Sequence, residues 1–358
     1  MIYKSCESIE QGISFMHEDV RLCCNVSHEG GGFEKNPYLR YENTKSIDWK
    51  DFFEYKDRIR NANQSENVFP SCKGCLYFEK RAWNNDNKKL SYFNFNHWRD
   101  CNTKCIYCHV RKDPNPKDIF PIFSYLKELD KNCLIEDNGI VMFGGGDIAF
   151  LPEFNDIVRL FLKHNYRFNI ATCATKHLKI LDELLKNGLV EIRISVDSAN
   201  EETYKKIKRT DYYHHVWKNI KTYAKKQICE YSLRLKYIII PGVNDNEEEI
   251  LAWLEKSKAY GIKSVILDIE SSYCSKYREN VPEYILKLFD FTQRKASQLG
   301  LYYMVFDHAA QVLSQLNSFQ AEFYFTKDIT QGKLMQFQKQ RDITFENNFI
   351  KKIFCRKV

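Results

Sequence analysis

The sequence predicts an α/β chain in which parallel strands close part of a barrel, preceded by a small irregular metal-binding segment. Two observations predict it. From about residue 88 onward, apolar runs of strand length alternate with amphipathic helical patterns, which is the signature of parallel strands joined by right-handed crossovers. Before that point the chain is rich in Asn, carries Gly30-Gly31-Gly32 and five cysteines, and shows no such alternation.

The strands are read in order as Leu90–Phe95, Gly139–Phe143, Arg167–Ala171, Val190–Ser195, Leu233–Ile240 and Lys263–Asp268. Six strands suit a partial (β/α)6 barrel better than a complete eightfold one. Leu301–Phe306 is a further candidate. The helical patterns are Pro152–His164, Leu178–Asn187, Glu201–Gln227 and Asn246–Tyr260. In the N-terminal segment a single helix is expected over Asp48–Arg60, opened by Ser46 or Asp48 as a cap. The expected domains are 1–88, 89–300 and a C-terminal extension 301–358, whose polar, Gln-rich tail reads as helical.

Length and composition bound the function. The chain has 358 residues, of which 44% are hydrophobic. No stretch approaches the roughly 20 apolar residues of a membrane span, and the N-terminus lacks a signal-peptide layout. The expectation is a cytoplasmic protein with no membrane partner. Net charge is +7. That does not argue for nucleic acid, and the basic run Lys205, Lys206, Lys208 and Arg209 reads as a solvated helix face. Thirteen cysteines without a secretion signal point to thiolate metal ligation rather than disulfides. The isolated Cys133, Cys229 and Cys355 read as small buried hydrophobes.

Cys101, Cys105 and Cys108 stand on one short loop after the first barrel strand. Three thiolates can hold three irons of a four-iron cluster and leave the fourth iron open. Zinc would need a fourth ligand, and His109 is adjacent to Cys108, too close for the usual spacing.

The Cys-x3-Cys-x2-Cys pattern, with Tyr107 before its last cysteine, resembles the radical S-adenosylmethionine (radical SAM) superfamily. The resemblance implies a [4Fe-4S] cluster whose open iron is chelated by S-adenosylmethionine. It implies reductive cleavage to a 5′-deoxyadenosyl radical that takes a hydrogen from the substrate, and a reductant such as flavodoxin or ferredoxin. Gly145-Gly146-Asp147-Ile148 looks like the family's Gly-Gly-Glu-Pro turn, with Asp147 and Ile148 as departures. Its glycines would let the backbone approach the cofactor's amino group. Thr172-Cys173-Ala174 sits where the family often has Thr-Asn-Gly. Ser195 and Asp197 resemble its Ser-x-Asp segment, and Arg209 is placed where a basic partner for the cofactor carboxylate is common. Pro241-Gly242-Val243-Asn244-Asp245 resembles a turn that bounds the pocket. Asp268, Glu270 and Cys274 follow the last strand, on the expected substrate side.

Cys6, Cys23 or Cys24, Cys72 and Cys75 resemble the ligand order of the twitch or SPASM auxiliary-cluster module, which in most relatives follows the barrel. A second [4Fe-4S] cluster is the leading expectation, with structural zinc the alternative. The implied reaction oxidises or cross-links a peptide, amino acid or sugar-like substrate. Two other readings stay open: epimerisation with Cys274 or Cys173 as hydrogen donor, and a catalytically inactive, metal-stabilised binding protein.

Overall fold

A computed structural model describes residues 2–23, 31–41, 46–64, 68–75, 77–83, 88–108, 110, 121–276, 281–306 and 309. The expectations for the C-terminal tail, Cys355 and Cys24 lie outside these residues. The described chain forms two compact units.

The first unit holds residues up to 102 and 109–172. It begins with β1 (Ile2–Ser5), α1 (Glu7–Gln11), β2 (Gly12–Phe15), β3 (Asp19–Arg21), β4 (Leu39–Arg40), α2 (Trp49–Gln64) and β5 (Glu79–Ala82). It continues with β6 (Leu90–Phe95), α3 (Ile122–Lys131), β7 (Ile135–Phe143), α4 (Phe154–Lys163) and β8 (Arg167–Thr172). Strands β2, β6, β7 and β8 run parallel, and β3 and β4 extend the β2 edge antiparallel. β1 and β5 form a separate antiparallel pair.

This differs from the irregular segment expected before residue 88. The register places Phe15 beside Phe95 and Phe95 beside Phe143. Their rings stack at 5.4 and 5.2 Å. That buried aromatic row ties β2 into the barrel strands, and strands of two to four residues are too short to show alternation. The two units part at 102, 108 and 172. α2 appears where expected and runs four residues further. Its cap is Asp48, whose carboxylate accepts the Lys50 and Asp51 N–H groups at 3.0 and 3.1 Å.

The second unit holds 103–108 and the chain from Cys173. Its elements are α5 (Lys179–Lys186), β9 (Val190–Ser195), α6 (Glu201–Lys208), α7 (Tyr213–Ala224), β10 (Leu233–Ile239) and α8 (Glu247–Ala259). Then come β11 (Ser264–Ile269), α9 (Ser271–Lys276), α10 (Glu283–Gln298) and β12 (Tyr302–Val305). Strands β9 to β12 pair in sequence order, all parallel. The α/β class with parallel strands expected from the sequence is therefore met, and the candidate strand at Leu301–Phe306 is real.

The single helix expected over Glu201–Gln227 is two. Asn200 caps α6 through its side chain, and Arg209 ends it in the left-handed region at φ 52°. Cys133 is exposed rather than buried, because it turns the chain out of α3 with φ 56°. Cys229 is only half-buried. Among the described residues no helix is long and apolar enough to cross a membrane.

Candidate functional site

In the first unit, β6 leads through Asn96–Asp100 to Cys101, and β7 ends in Gly144-Gly145-Gly146. These two stretches lie backbone against backbone. Gly146 N–H donates to Trp98 C=O at 2.9 Å, and Asp147 N–H to Asp100 C=O at 2.8 Å. A side chain on Gly146 would put its first carbon 2.4 Å from the Asp100 carbonyl oxygen, and Gly145 has φ 78°. The glycines were expected to admit a cofactor amino group. The structure gives them a different local role, which is to let the chain that delivers Cys101 lie flat on the β7 turn.

Asp147 is buried beneath that contact. Its carboxylate accepts from Ala149 N–H at 2.9 Å and from the Thr172 hydroxyl at 3.0 Å. One carboxylate oxygen lies within 4.8 Å of the Cys101 sulfur. Thr172, at the end of β8, is a site residue that sequence reasoning placed but gave no role.

The rest of the cysteine loop belongs to the second unit. Lys104 and Ile106 N–H groups donate to the carbonyls of Lys208 and Ile207 at the end of α6, at 2.8 and 2.9 Å. Tyr107 packs against Ile207, Ile238 and Ile240. Its hydroxyl donates to an Asp197 carboxylate oxygen at 2.6 Å and accepts from Lys208 Nζ at 2.7 Å. Lys208 also pairs directly with the same Asp197 oxygen. The other oxygen takes the Ile238 N–H at 2.9 Å. Asn244 closes the arrangement, donating to the carbonyls of Asp197 and Ile238 at 2.9 Å each and accepting from Ile240 N–H.

This clasp corrects one expectation. Lys208 is not part of a solvated face. Only 1% of its side chain is exposed, and Lys208 rather than the exposed Arg209 is the buried cation. Burial works against its charge, but Asp197 outweighs that and holds its pKa well above the ordinary value. Burial, then Asp197, pushes Tyr107 well above its ordinary value. Tyr107 and Asp197 were expected to touch the cofactor; their polar atoms are committed to locking the loop onto β9 and α6. Thr103 adds a hydroxyl 3.5 Å from Cys105 Sγ and 3.4 Å from Cys173 Sγ. Ser195 stands beside Lys236 in register at the end of β9. Glu270 caps α9 by accepting from Ser272 N–H at 3.1 Å, and Asp268 pairs with Lys236. Cys274 falls on α9, its side chain outside the described ones.

Near the N-terminus Cys6 and Cys72 each reach a pKa of about 12. Burial is the main cause for both. For Cys6 the next charges felt are those of Cys72 and Cys75; for Cys72 it is Cys75. Three of the expected ligands are therefore electrostatic neighbours. Lys56 also lies near Cys6. It is buried and donates to Gly12 C=O at 3.0 Å, and burial, then Arg60, lowers its pKa. Arg60 bonds Glu10 at 3.0 Å. Thiols in that state release protons on metal binding.

His97, four residues before Cys101, is buried, and both its ring nitrogens lack a hydrogen-bond partner among the described residues. Burial, then His17, lowers its pKa to about 3. The unfolded value is about 6.5, so between these values the unfolded chain binds the extra proton. Its contribution is complete above about pH 6.5 and is lost as pH falls toward 3, by about 1.4 kcal/mol per pH unit. Urea midpoints measured from pH 7 to 4 should fall less steeply in His97→Phe than in the wild type. Parallel slopes would refute the assignment.

Comparison with known proteins decides the family. Residues 95–254 match the profile of the Radical SAM superfamily. Residues 95–254 are a radical SAM domain. The radical SAM family expected from the three-cysteine loop is borne out over residues 95–254, and with it the [4Fe-4S] cluster and S-adenosylmethionine that the superfamily uses. The chain resembles GTP 3′,8-cyclase of Clostridium botulinum strain Okra, 25% identical over 186 residues, 51% of this chain and 57% of the relative. It resembles a probable GTP 3′,8-cyclase of Pyrococcus abyssi at 26% over 157 residues, 42% of this chain and 47% of the relative. The chain thus spans about half the length of these curated relatives. Among solved structures, Streptococcus suis SuiB bound to precursor peptide SuiA is similar at TM-score 0.49 and 13% identity, covering 75% of this chain and 64% of that one. Native anSMEcpe with bound AdoMet has TM-score 0.44 and 16% identity, covering 59% and 62%.

Proposed function

We propose that this radical SAM enzyme oxidises or cross-links a small-molecule or peptide substrate after taking a hydrogen atom from it. The observation that carries the reading is the loop from Cys101 to Cys108, pinned through Tyr107 to Asp197 and Lys208. Cys101, Cys105 and Cys108 would hold the cluster. When bound, the cluster and S-adenosylmethionine supply an electron and a 5′-deoxyadenosyl radical. The chain's own contribution is to fix the three thiols, with the clasp removing the loop's freedom and Thr103 presenting a hydroxyl beside Cys105. Gly145, Gly146 and Ser195, at strand ends, and Arg209 remain the candidates for contact with S-adenosylmethionine.

The proposal also includes an auxiliary cluster on Cys6, Cys72, Cys75 and Cys23 or Cys24. It would take the electron from the substrate radical, which is why oxidation is favoured over epimerisation. A small reduced electron carrier such as flavodoxin or ferredoxin is the fitting reductant. A reducing cytoplasm suits thiolate ligation by these cysteines.

Anaerobic reconstitution with iron and sulfide, followed by reduction with S-adenosylmethionine, tests the reading. 5′-Deoxyadenosine should form, and its absence would leave the inactive binding protein as the better account. GTP, the nucleotide in the names of the similar cyclases, is the first small molecule to add. Two four-iron clusters correspond to about eight irons per chain. Cys6→Ala should reduce this to about four, whereas stoichiometric zinc in the wild type would replace the auxiliary cluster with a structural metal. If Cys274 were a hydrogen donor, Cys274→Ala would stop product formation; an oxidation should survive it.

A further inference from the structure

The parallel strands of the first unit have one aromatic face and one polar face. Phe93 and Phe95 of β6 pack on Phe161 of α4 at 4.7 and 6.1 Å, and Phe143 of β7 packs on Phe154 of the same helix at 5.1 Å. Successive side chains of a strand point to opposite sides, so Asn94 and Met142 point away from that helix. The register extends their row in both directions. Ser14 on β2 stands beside Asn94, Asn94 beside Met142, and Met142 beside Asn169 on β8. Ser14, Asn94 and Met142 are each one residue in from the C-terminal end of their strand, and in (β/α) folds binding sites gather at those ends.

Three members of this row are buried and incompletely bonded. Ser14 is fully buried, Asn94 is 3% exposed and Asn169 8%. Among the described residues, the Ser14 hydroxyl, Asn94 Nδ2 and Asn169 Oδ1 have no hydrogen-bond partner. The orientation of Asn94 is fixed, because its Oδ1 accepts from Asn96 Nδ2 at 2.8 Å. Met142, between the two amides, has no donor to offer Asn169, and its sulfur already takes the Tyr92 hydroxyl at 2.8 Å. A buried polar group without a partner costs free energy, and folded chains break that rule chiefly at functional sites.

We infer that this row recognises amide groups of the substrate. The Ser14 hydroxyl and Asn94 Nδ2 donate to a carbonyl oxygen, and Asn169 Oδ1 accepts from an N–H. An amide offers one group of each kind. The row holds no charged side chain, and a carboxylate or phosphate would set a second acceptor against Asn169 Oδ1, so a neutral amide fits and an oxyanion does not. Asn94 and Asn169 stand two strands apart, about 10 Å between backbones, which suits a ligand whose carbonyl and N–H lie on separate amide groups. The inference rests on the radical SAM reading, in which the substrate lies against the strands on the side away from the helices.

Ligand-observed NMR titration of the reconstituted full chain tests it with two uncharged probes. One is N-acetylglycine N-methylamide, which carries two amide groups; the other is methyl acetoxyacetate, its diester analogue, which keeps both carbonyls and lacks the N–H groups. The diamide should bind saturably. Its Kd should rise about fivefold or more in Ser14→Ala and in Asn169→Leu, and the diester should bind the wild type about fivefold or more weakly than the diamide. Without probe, the urea midpoint of Ser14→Ala should hold or rise, because the deleted hydroxyl leaves no partner behind. Failure of the diamide to bind, equal binding of the diester, or binding unchanged in both variants overturns the inference. So does a lower midpoint in Ser14→Ala, which would assign the hydroxyl to a structural network bridged by buried water. Formation of 5′-deoxyadenosine by the wild type, read without either probe, tests the radical reading, so the two fail separately.

Discussion

Asp197→Ala should be the most destabilising single substitution in the second unit. The change removes the acceptor for three donors at once: Ile238 N–H, the Tyr107 hydroxyl and the Lys208 ammonium. Lys208 would be left as an uncompensated charge in the core, which costs about 3–5 kcal/mol. That is a large fraction of the roughly 5–15 kcal/mol that holds a domain together. The loss should appear as a lower urea midpoint. The cysteine loop should loosen with it, because Tyr107 lies between Cys105 and Cys108, and iron uptake should fall. Pairing Asp197→Asn with Lys208→Met removes both charges while keeping an acceptor for Ile238, and should recover most of the stability. An Asp197→Ala chain that melts like the wild type and loads iron fully would show that the clasp is not what holds the loop.

The strands of the barrel were legible because each is a long apolar run bounded by turn residues, and the cysteine loop because its spacing is local. The clasp was not legible, since Tyr107 and Asp197 are 90 residues apart and their pairing depends on tertiary structure. Lys208 belongs to the buried face of α6. It lies one helical turn after Tyr204, and Tyr204, Ile207 and Lys208 are the buried residues of α6. A face-by-face reading would have separated it from Lys205 and Lys206. Asn244 was seen only as a member of a turn, although an Asn at such a position often bonds the backbone. Strand β2 was missed for a different reason: four residues cannot show a period, and its place is set by Phe15 meeting Phe95.

The glycine turn gives the sharpest test of how the first unit presents Cys101. Gly146→Ala should lower stability by about 1–3 kcal/mol, the usual cost of forcing extra volume into a packed site. The added carbon would press on the Asp100 carbonyl and, at 2.8 Å, on Arg99 C and Trp98 Nε1. None of these can easily yield. Two backbone hydrogen bonds and the Trp98 Nε1–H bond to Asp147 C=O, at 3.1 Å, clamp the two stretches together. The displacement therefore falls on Asp100, the neighbour of Cys101, and reconstituted chains should hold less iron at that loop. Gly242→Ala is the matched control. Gly242 has φ 77° with nothing within 4 Å of the added carbon, so alanine there meets backbone strain of about 1 kcal/mol but no collision. Its iron content should match the wild type. Equal iron in both variants would mean that the close approach at Gly146 does not set the position of Cys101. A selective loss in Gly146→Ala would tie the glycines of the β7 turn to cluster placement through the chain itself.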